Sequence, residues 1–134
     1  KKEKYNESIK AFNEAVKIDN SYYVALNNRG MSKFSKEDYN GAISDFDKCL
    51  KLSPEYSFAI NNKASCYIGL EEWDKAIVCA DKAISLNANY TYAYYNRAIA
   101  KEMKRDLDGA CEDWKKASEL GLEAARVYYN STCK

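Results

Sequence analysis

The sequence predicts an all-α fold, a solenoid of antiparallel helix–turn–helix hairpins with seven helices expected. Three observations predict it. The first is a phrase that returns at a fixed step of 34 residues: Tyr39-Asn40-Gly41-Ala42-Ile43, Trp73-Asp74-Lys75-Ala76-Ile77 and Leu107-Asp108-Gly109-Ala110-Cys111. Tyr5-Asn6-Glu7-Ser8-Ile9 stands the same step before them. The second is that another phrase keeps that step: Ala25-Leu26-Asn27-Asn28-Arg29, Ala59-Ile60-Asn61-Asn62-Lys63 and Ala93-Tyr94-Tyr95-Asn96-Arg97. Two phrases sharing one period without insertions mark a repeat array, whose units bury apolar faces against their neighbours. The third is helical spacing of the apolar residues, with no alternation persisting long enough to suggest a strand.

Residues 2–18 carry Tyr5, Ile9, Phe12, Ala15, Val16 and Ile18 as a helical stripe. By register this is the second helix of a unit that lacks its first. Asp19-Asn20-Ser21 interrupts the stripe and offers capping side chains to the next helix. That helix runs from Tyr22 to about Ser35, marked by Ala25, Leu26, Gly30 and Phe34. Its partner, Tyr39 to Leu52, buries Tyr39, Ala42, Ile43, Phe46, Cys49 and Leu50. Ser53-Pro54 stops it, because proline lacks an N–H and restricts the residue before it. The second unit repeats this layout over Tyr56–Gly69 and Glu72–Leu86, and the third over Tyr90–Lys104 and Asp106–Leu120. Gly121 is placed to terminate the last of these. Glu123 to about Ser131 reads as a closing helix with Ala125, Val127 and Tyr128 as its contact face.

Composition limits what such an array can do. The chain has 134 residues, one domain's worth, with 46% hydrophobic and 31% charged residues. Lys+Arg total 21 and Asp+Glu 20, a net charge of +1, and the charges are interspersed. That removes the usual electrostatic signature of nucleic-acid or anionic-membrane binding. Apolar runs fall far short of the roughly 20 residues a membrane span needs, so no membrane insertion is expected. Lys1 stands almost at the start of a helical pattern, so the sequence reads as a piece excised from a longer chain, with an upstream signal left open.

The five cysteines (Cys49, Cys66, Cys79, Cys111, Cys133) are scattered and odd in number, without a CxxC or any histidine. Five free structural thiols are expected, with Cys49 and Cys111 buried, and neither a disulfide nor a metal site. Reduced thiols fit a cytoplasmic setting. No catalytic or cofactor site is expected. Histidine, the commonest general base, is absent, no Ser or Cys has an activating partner, and there is no glycine-rich phosphate loop.

These residues resemble the tetratricopeptide repeat, a 34-residue helix–turn–helix with the pattern W-x2-L-G-x2-Y…A-x3-F…P. Its Trp slot holds Leu26, Ile60 and Tyr94, and its Gly slot Gly30, Ala64 and Ala98. Its Ala slot holds Ala42, Ala76 and Ala110, and its Phe slot Phe46, Ala80 and Trp114. A small slot follows with Cys49, Ala83 and Ala117, and Pro54 fills the proline slot once. The Leu slot is basic throughout (Arg29, Lys63, Arg97), and the Tyr slot holds Lys33, Tyr67 and Lys101. Arg29 and Arg97 each have an aspartate sixteen residues on, Asp45 and Asp113, which reads as an ion pair within one hairpin; Lys63 has Cys79 there. The resemblance implies a single domain over 1–134: a half repeat at 2–18, repeats at 22–54, 56–88 and 90–121, and a capping helix at 123–131.

The resemblance also implies a right-handed superhelix whose first helices line a concave face, and a non-enzymatic protein-interaction scaffold binding an extended peptide there. The expected contacts are Asn27, Asn28 and Met31, then Phe58, Asn61, Asn62 and Ser65, then Tyr92, Tyr95, Asn96 and Ile99. An asparagine offers both donor and acceptor to a peptide backbone. The same three in-register residues, Asn28, Asn62 and Asn96, could instead bond neighbouring helices within the array. Some family members grip the acidic tail of heat-shock chaperones with a clamp of Lys, Asn, Asn, Lys and Arg. Those slots hold Asn27, Met31, Asn62, Tyr92 and Asn96 here, and only Asn62 matches. Arg97 stands one residue off its slot, about 100° around the helix. Tyr22, Tyr56 and Tyr90 read as packing between repeats. The related repeat that reads RNA one base per unit keeps a longer period, and the neutral charge opposes it too. A structural, self-associating module is the other reading, through apolar residues such as Ile9 and Phe12 at the open N-terminal end.

Overall fold

The computed structural model describes residues 2–18 and 22–133, with the side chains of 4–14 and 22–133. They form α1 (Lys2–Ile18), α2 (Tyr23–Ser35), α3 (Tyr39–Leu52), α4 (Ser57–Gly69), α5 (Trp73–Leu86), α6 (Thr91–Met103), α7 (Leu107–Glu119) and α8 (Glu123–Thr132). Eight helices therefore stand among the described residues, one more than the seven expected. A half repeat, three hairpins and a closing helix sum to eight. The expected capping by Asp19-Asn20-Ser21, and the burial of Ala15, Val16 and Ile18, lie outside the described residues.

The chain folds as a right-handed solenoid. The hairpins are α2/α3, α4/α5 and α6/α7, and each second helix packs on the first helix of the next unit. The first helices also touch directly, α2 to α4 and α4 to α6. Each hairpin turns through a left-handed residue at the same repeat position, Glu37 (φ 64°), Glu71 (φ 59°) and Arg105 (φ 68°). The following N–H closes each turn on a carbonyl of the preceding helix: Asp38 to Lys33 (2.9 Å), Glu72 to Tyr67 (2.8 Å) and Asp106 to Lys101 (2.8 Å). Asp38 and Asp106 then cap α3 and α7 by accepting the N–H of Gly41 (3.1 Å) and Gly109 (3.0 Å). Gly121, at φ 104°, follows the end of α7 as the sequence implied.

The core is a row of small clusters. Ala42, Ala76 and Ala110 are fully buried, so the strict alanine slot marks close helix contact. Gly30 fits because Phe46 lies where a side chain would start; an added Cβ would sit 2.6 Å from its Cε1. In the third unit Trp114 fills the Phe slot beside Ala98. At the N-terminal end Tyr5, Ile9 and Phe12 are half-buried.

Two expectations at the C-terminal end need correction. Val127 is 57% exposed, because α8 lies on α7 through Leu122, Ala125 and Tyr129, while Tyr128 stacks on Trp114 at 5.3 Å. The spacing of those residues is the stripe that faces the core. The cysteines are also not all free. Cys111 is half-buried and forms a disulfide with Cys133, their Cα atoms 5.7 Å apart. Cys133 sits one residue past α8, where the antiparallel return brings it beside the start of α7. Cys49 and Cys66 remain buried thiols, and Cys79 a half-buried one. Burial pushes the Cys49 thiol up to about 11 and the Cys66 thiol up to about 12, so both stay protonated at neutral pH.

Candidate functional site

The first helices α2, α4 and α6 present the expected contact residues in two rows, and the structure treats them differently. One row is consumed by the array. Asn96 Nδ2 donates to Asn61 Oδ1 (2.9 Å) and to Ser65 Oγ (3.0 Å). Asn62 Nδ2 donates to Asn27 Oδ1 (3.0 Å), and Asn61 Nδ2 reaches the Tyr90 hydroxyl at 3.5 Å. Asn27, Asn61 and Asn96 are buried, so these bonds satisfy groups that would otherwise be costly. Each inter-asparagine bond joins residue i to i+35, one more than the period, because neighbouring first helices meet along offset faces.

The other row faces out. Asn28 is exposed, as are Met31, Phe58 (54%) and Tyr92 (57%). Tyr95 and Ile99 are half-buried. Tyr95 lies against Tyr128 of α8, ring centres 6.2 Å apart, and burial raises its phenol above the usual value. Every one of the eleven expected contact residues is uncharged.

Sequence reasoning treated the aromatic residues separately, and the structure joins them. Tyr23 meets Tyr56 edge-on with ring centres 5.1 Å apart, Tyr56 meets Phe58 at 5.5 Å, and Phe58 meets Tyr90 at 5.5 Å. This continuous ring row crosses three repeats. Tyr56 and Tyr90 thus pack between repeats as expected, whereas Tyr22 is 53% exposed. The recurrence of aromatics at both 56/90 and 58/92 was the signal that could have revealed the row.

A third feature is structural. Arg29 grips Asp45 through Nε (2.8 Å) and Nη2 (2.6 Å), and Arg97 grips Asp113 likewise (2.8 and 2.7 Å). Lys33 and Lys101 each add a 3.1 Å contact to the same carboxylates. The two arginines also reach back to the preceding unit, to Asn13 (2.9 Å) and Asp81 (2.8 Å). The bond to the buried aspartate holds each guanidinium above its usual range. In the middle unit Cys79 replaces the aspartate, and Lys63 turns back to Asp47 (2.7 Å). These contacts clamp the hairpins, and tie the Arg29, Lys33, Lys63, Arg97 and Lys101 charges to carboxylates. Among the described residues, no group of three or more acidic, Cys or His side chains could hold a metal, and no helix is long and apolar enough to cross a membrane.

Two tetratricopeptide repeat models match the sequence, one over residues 23–56 and the other over 1–22 and 59–90. The chain belongs to the tetratricopeptide repeat family. No curated protein matches it. Among solved structures it is similar to the first such domain of Spaghetti (RPAP3) bound to the HSP90 peptide SRMEEVD, at 26% identity and a TM-score of 0.79, covering 85% of this chain and 92% of that one. The first such domain of human RPAP3, seen by NMR, gives 26% identity and a TM-score of 0.79 over 82% and 88%. A MamA crystal structure gives 27% and 0.78 over 93% and 67%. Repeats of this family generally serve as interaction modules without enzymatic activity.

Proposed function

We propose that this chain is a protein-interaction scaffold that binds an extended peptide or partner segment on the face formed by α2, α4 and α6. The observation that carries the reading is the outward row of Asn28, Met31, Phe58 and Tyr92. These side chains are exposed apolar and amide groups on a rigid helical layer, without a covering element among the described residues. Single exposed apolar residues are ordinary, but Phe58 and Tyr92 repeat at one register on neighbouring first helices, with Asn28 and Met31 beside them on the first, and such repetition favours recognition. Binding and not catalysis follows from the neutral, histidine-free lining. Although the RPAP3 structure holds an acidic HSP90 peptide, the clamp slots of this chain carry Asn27, Met31, Asn62, Tyr92 and Asn96 and offer no cation to a terminal carboxylate. Acidic tails are therefore not the proposed ligand.

A displayed library of extended peptides tests the proposal. Binders are expected whose affinity falls with Asn28→Ala and Tyr92→Ala and is unchanged by Val78→Ser, an exposed position on α5. No binder, together with a mass that rises with concentration, would replace this reading by the self-associating module.

A further inference from the structure

The ring row carries more than a generic groove, because its spacing, donors and charge fit one kind of ligand. Phe58 and Tyr92 hold the same register position on α4 and α6, which pack directly. Directly packed helices lie about 8–10 Å apart. A polyproline II strand has three residues per turn at about 3.1 Å each, so equivalent residues recur about every 9 Å. One proline per turn therefore matches the exposed rings of the second and third repeats; the first repeat holds Val24 at that position. Phe58 is already braced edge-to-face by Tyr56 and Tyr90, so it loses little side-chain freedom when a ligand lands on it.

The polar groups agree. A proline-rich strand presents carbonyl acceptors and few N–H donors, so its partner must supply donors. The exposed residues Tyr92 and Asn28 carry a phenol and an amide donor at this face, and Asn62 keeps one N–H beyond its bond to Asn27. Charge agrees too. The contact residues are all neutral, as is a polyproline backbone, whereas an acidic or basic segment would lose hydration without gaining a counter-charge.

We propose that the exposed rings of Phe58 on α4 and Tyr92 on α6 form a docking surface for a proline-rich segment in the polyproline II conformation, with one proline on Phe58 and another, one turn further along the strand, on Tyr92. This inference rests on the interaction-scaffold reading above.

The test titrates the full 134-residue chain with three end-labelled peptides of equal length: proline at every third position among alanines, a glycine-serine control, and an acidic peptide with a free C-terminus. The random library is panned in parallel. The proline peptide is expected to bind, with an affinity unmoved by added salt. Phe58→Ser and Tyr92→Ser should each weaken it about tenfold. Phe58→Leu keeps an apolar side chain but no ring, so it guards against a folding defect and should also weaken binding. Library binders that depend on Asn28 and Tyr92 but show no proline enrichment, with the proline peptide silent, would overturn this inference and leave the scaffold reading intact. Absence of any binder, or binders indifferent to every groove substitution, would overturn both.

Discussion

Asn96→Ala is the substitution that best separates bracing from recognition. Asn96 is 9% exposed and donates to Asn61 Oδ1 and Ser65 Oγ across the α4–α6 contact. Truncation removes both bonds and strands the carbonyl oxygen of Asn61, which is only 4% exposed. A net hydrogen bond contributes about 0.5–1.5 kcal/mol, and a buried group left unpaired costs about 1–3 kcal/mol. The expected loss is about 2–3 kcal/mol. For a chain of this size each kcal/mol lowers the melting temperature by about 3–5 °C, so a fall of roughly 6–15 °C is expected by calorimetry or circular dichroism. Asn28→Ala, at an exposed position of the same register, should stay within about 0.5 kcal/mol of the parent. An Asn61→Ala/Asn96→Ala cycle should show coupling of about 1 kcal/mol. Equal melting of the Asn96 and Asn28 variants would refute the assignment of the inner row to bracing.

Three further outcomes follow from the same contacts. Thiol titration of the denatured, unreduced chain should find three reactive thiols and, after reduction, five; five before reduction would break the Cys111–Cys133 assignment. Asp45→Ala leaves Arg29 and Lys33 without their shared buried carboxylate and should cost about 3–5 kcal/mol, whereas Cys79→Ala at the equivalent position should cost far less. Similar losses at both sites, measured by denaturant titration, would show that the triad contributes little. Finally, the thiols of Cys49 and Cys66 lie above their ordinary value of 9.0 in the folded chain, so the native state holds protons that the unfolded state has released. Their contribution is complete below pH 9.0 and is lost as pH rises through about 11 and about 12. Melting should steepen its fall across that range, and Cys49→Ala, the residue the next two repeats use there, should flatten it.

Much of the fold was legible because helix limits, small slots and the stop signals are local. Gly30, Ala42 and Pro54 each announce a steric requirement in their own side chain. The hairpin turns were less legible. Glu37, Glu71 and Arg105 adopt the left-handed conformation without being glycine, and only their equivalence across repeats identifies them. The candidate site was legible as a set of positions but not as contacts. Asn28, Asn62 and Asn96 look identical in sequence, yet Asn62 and Asn96 bond to the preceding unit while Asn28 is exposed.

That last difference shows what a period does and does not encode. A step of 34 finds equivalent residues, and equivalent residues do not touch. The contacts fall at other offsets: 16 for Arg29–Asp45 and Arg97–Asp113 within a hairpin, 30 for Lys104–Asp74 and Lys36–Asn6, and 35 for Asn62–Asn27 and Asn96–Asn61. Each offset is set by helix length, turn length and the tilt between neighbours, so one verified pair predicts its counterparts a repeat away. The 16 offset could be guessed from opposite charges, and it held wherever an aspartate was present. The 35 offset joins two asparagines, whose lack of charge leaves nothing in the sequence to flag the pairing. The disulfide, at a separation of 22, belongs to no repeat offset at all. It joins a repeat to the closing helix, where the periodic rule ends, and so only the three-dimensional return of α8 onto α7 could reveal it. The ring row lies between these cases: Tyr56 and Tyr90 recur at 34, but the row is joined through Tyr56 and Phe58, two apart on the chain, with Phe58 facing the next unit's Tyr90. An aromatic surface built this way is invisible to comparison of repeats one by one and emerges only from their stacking.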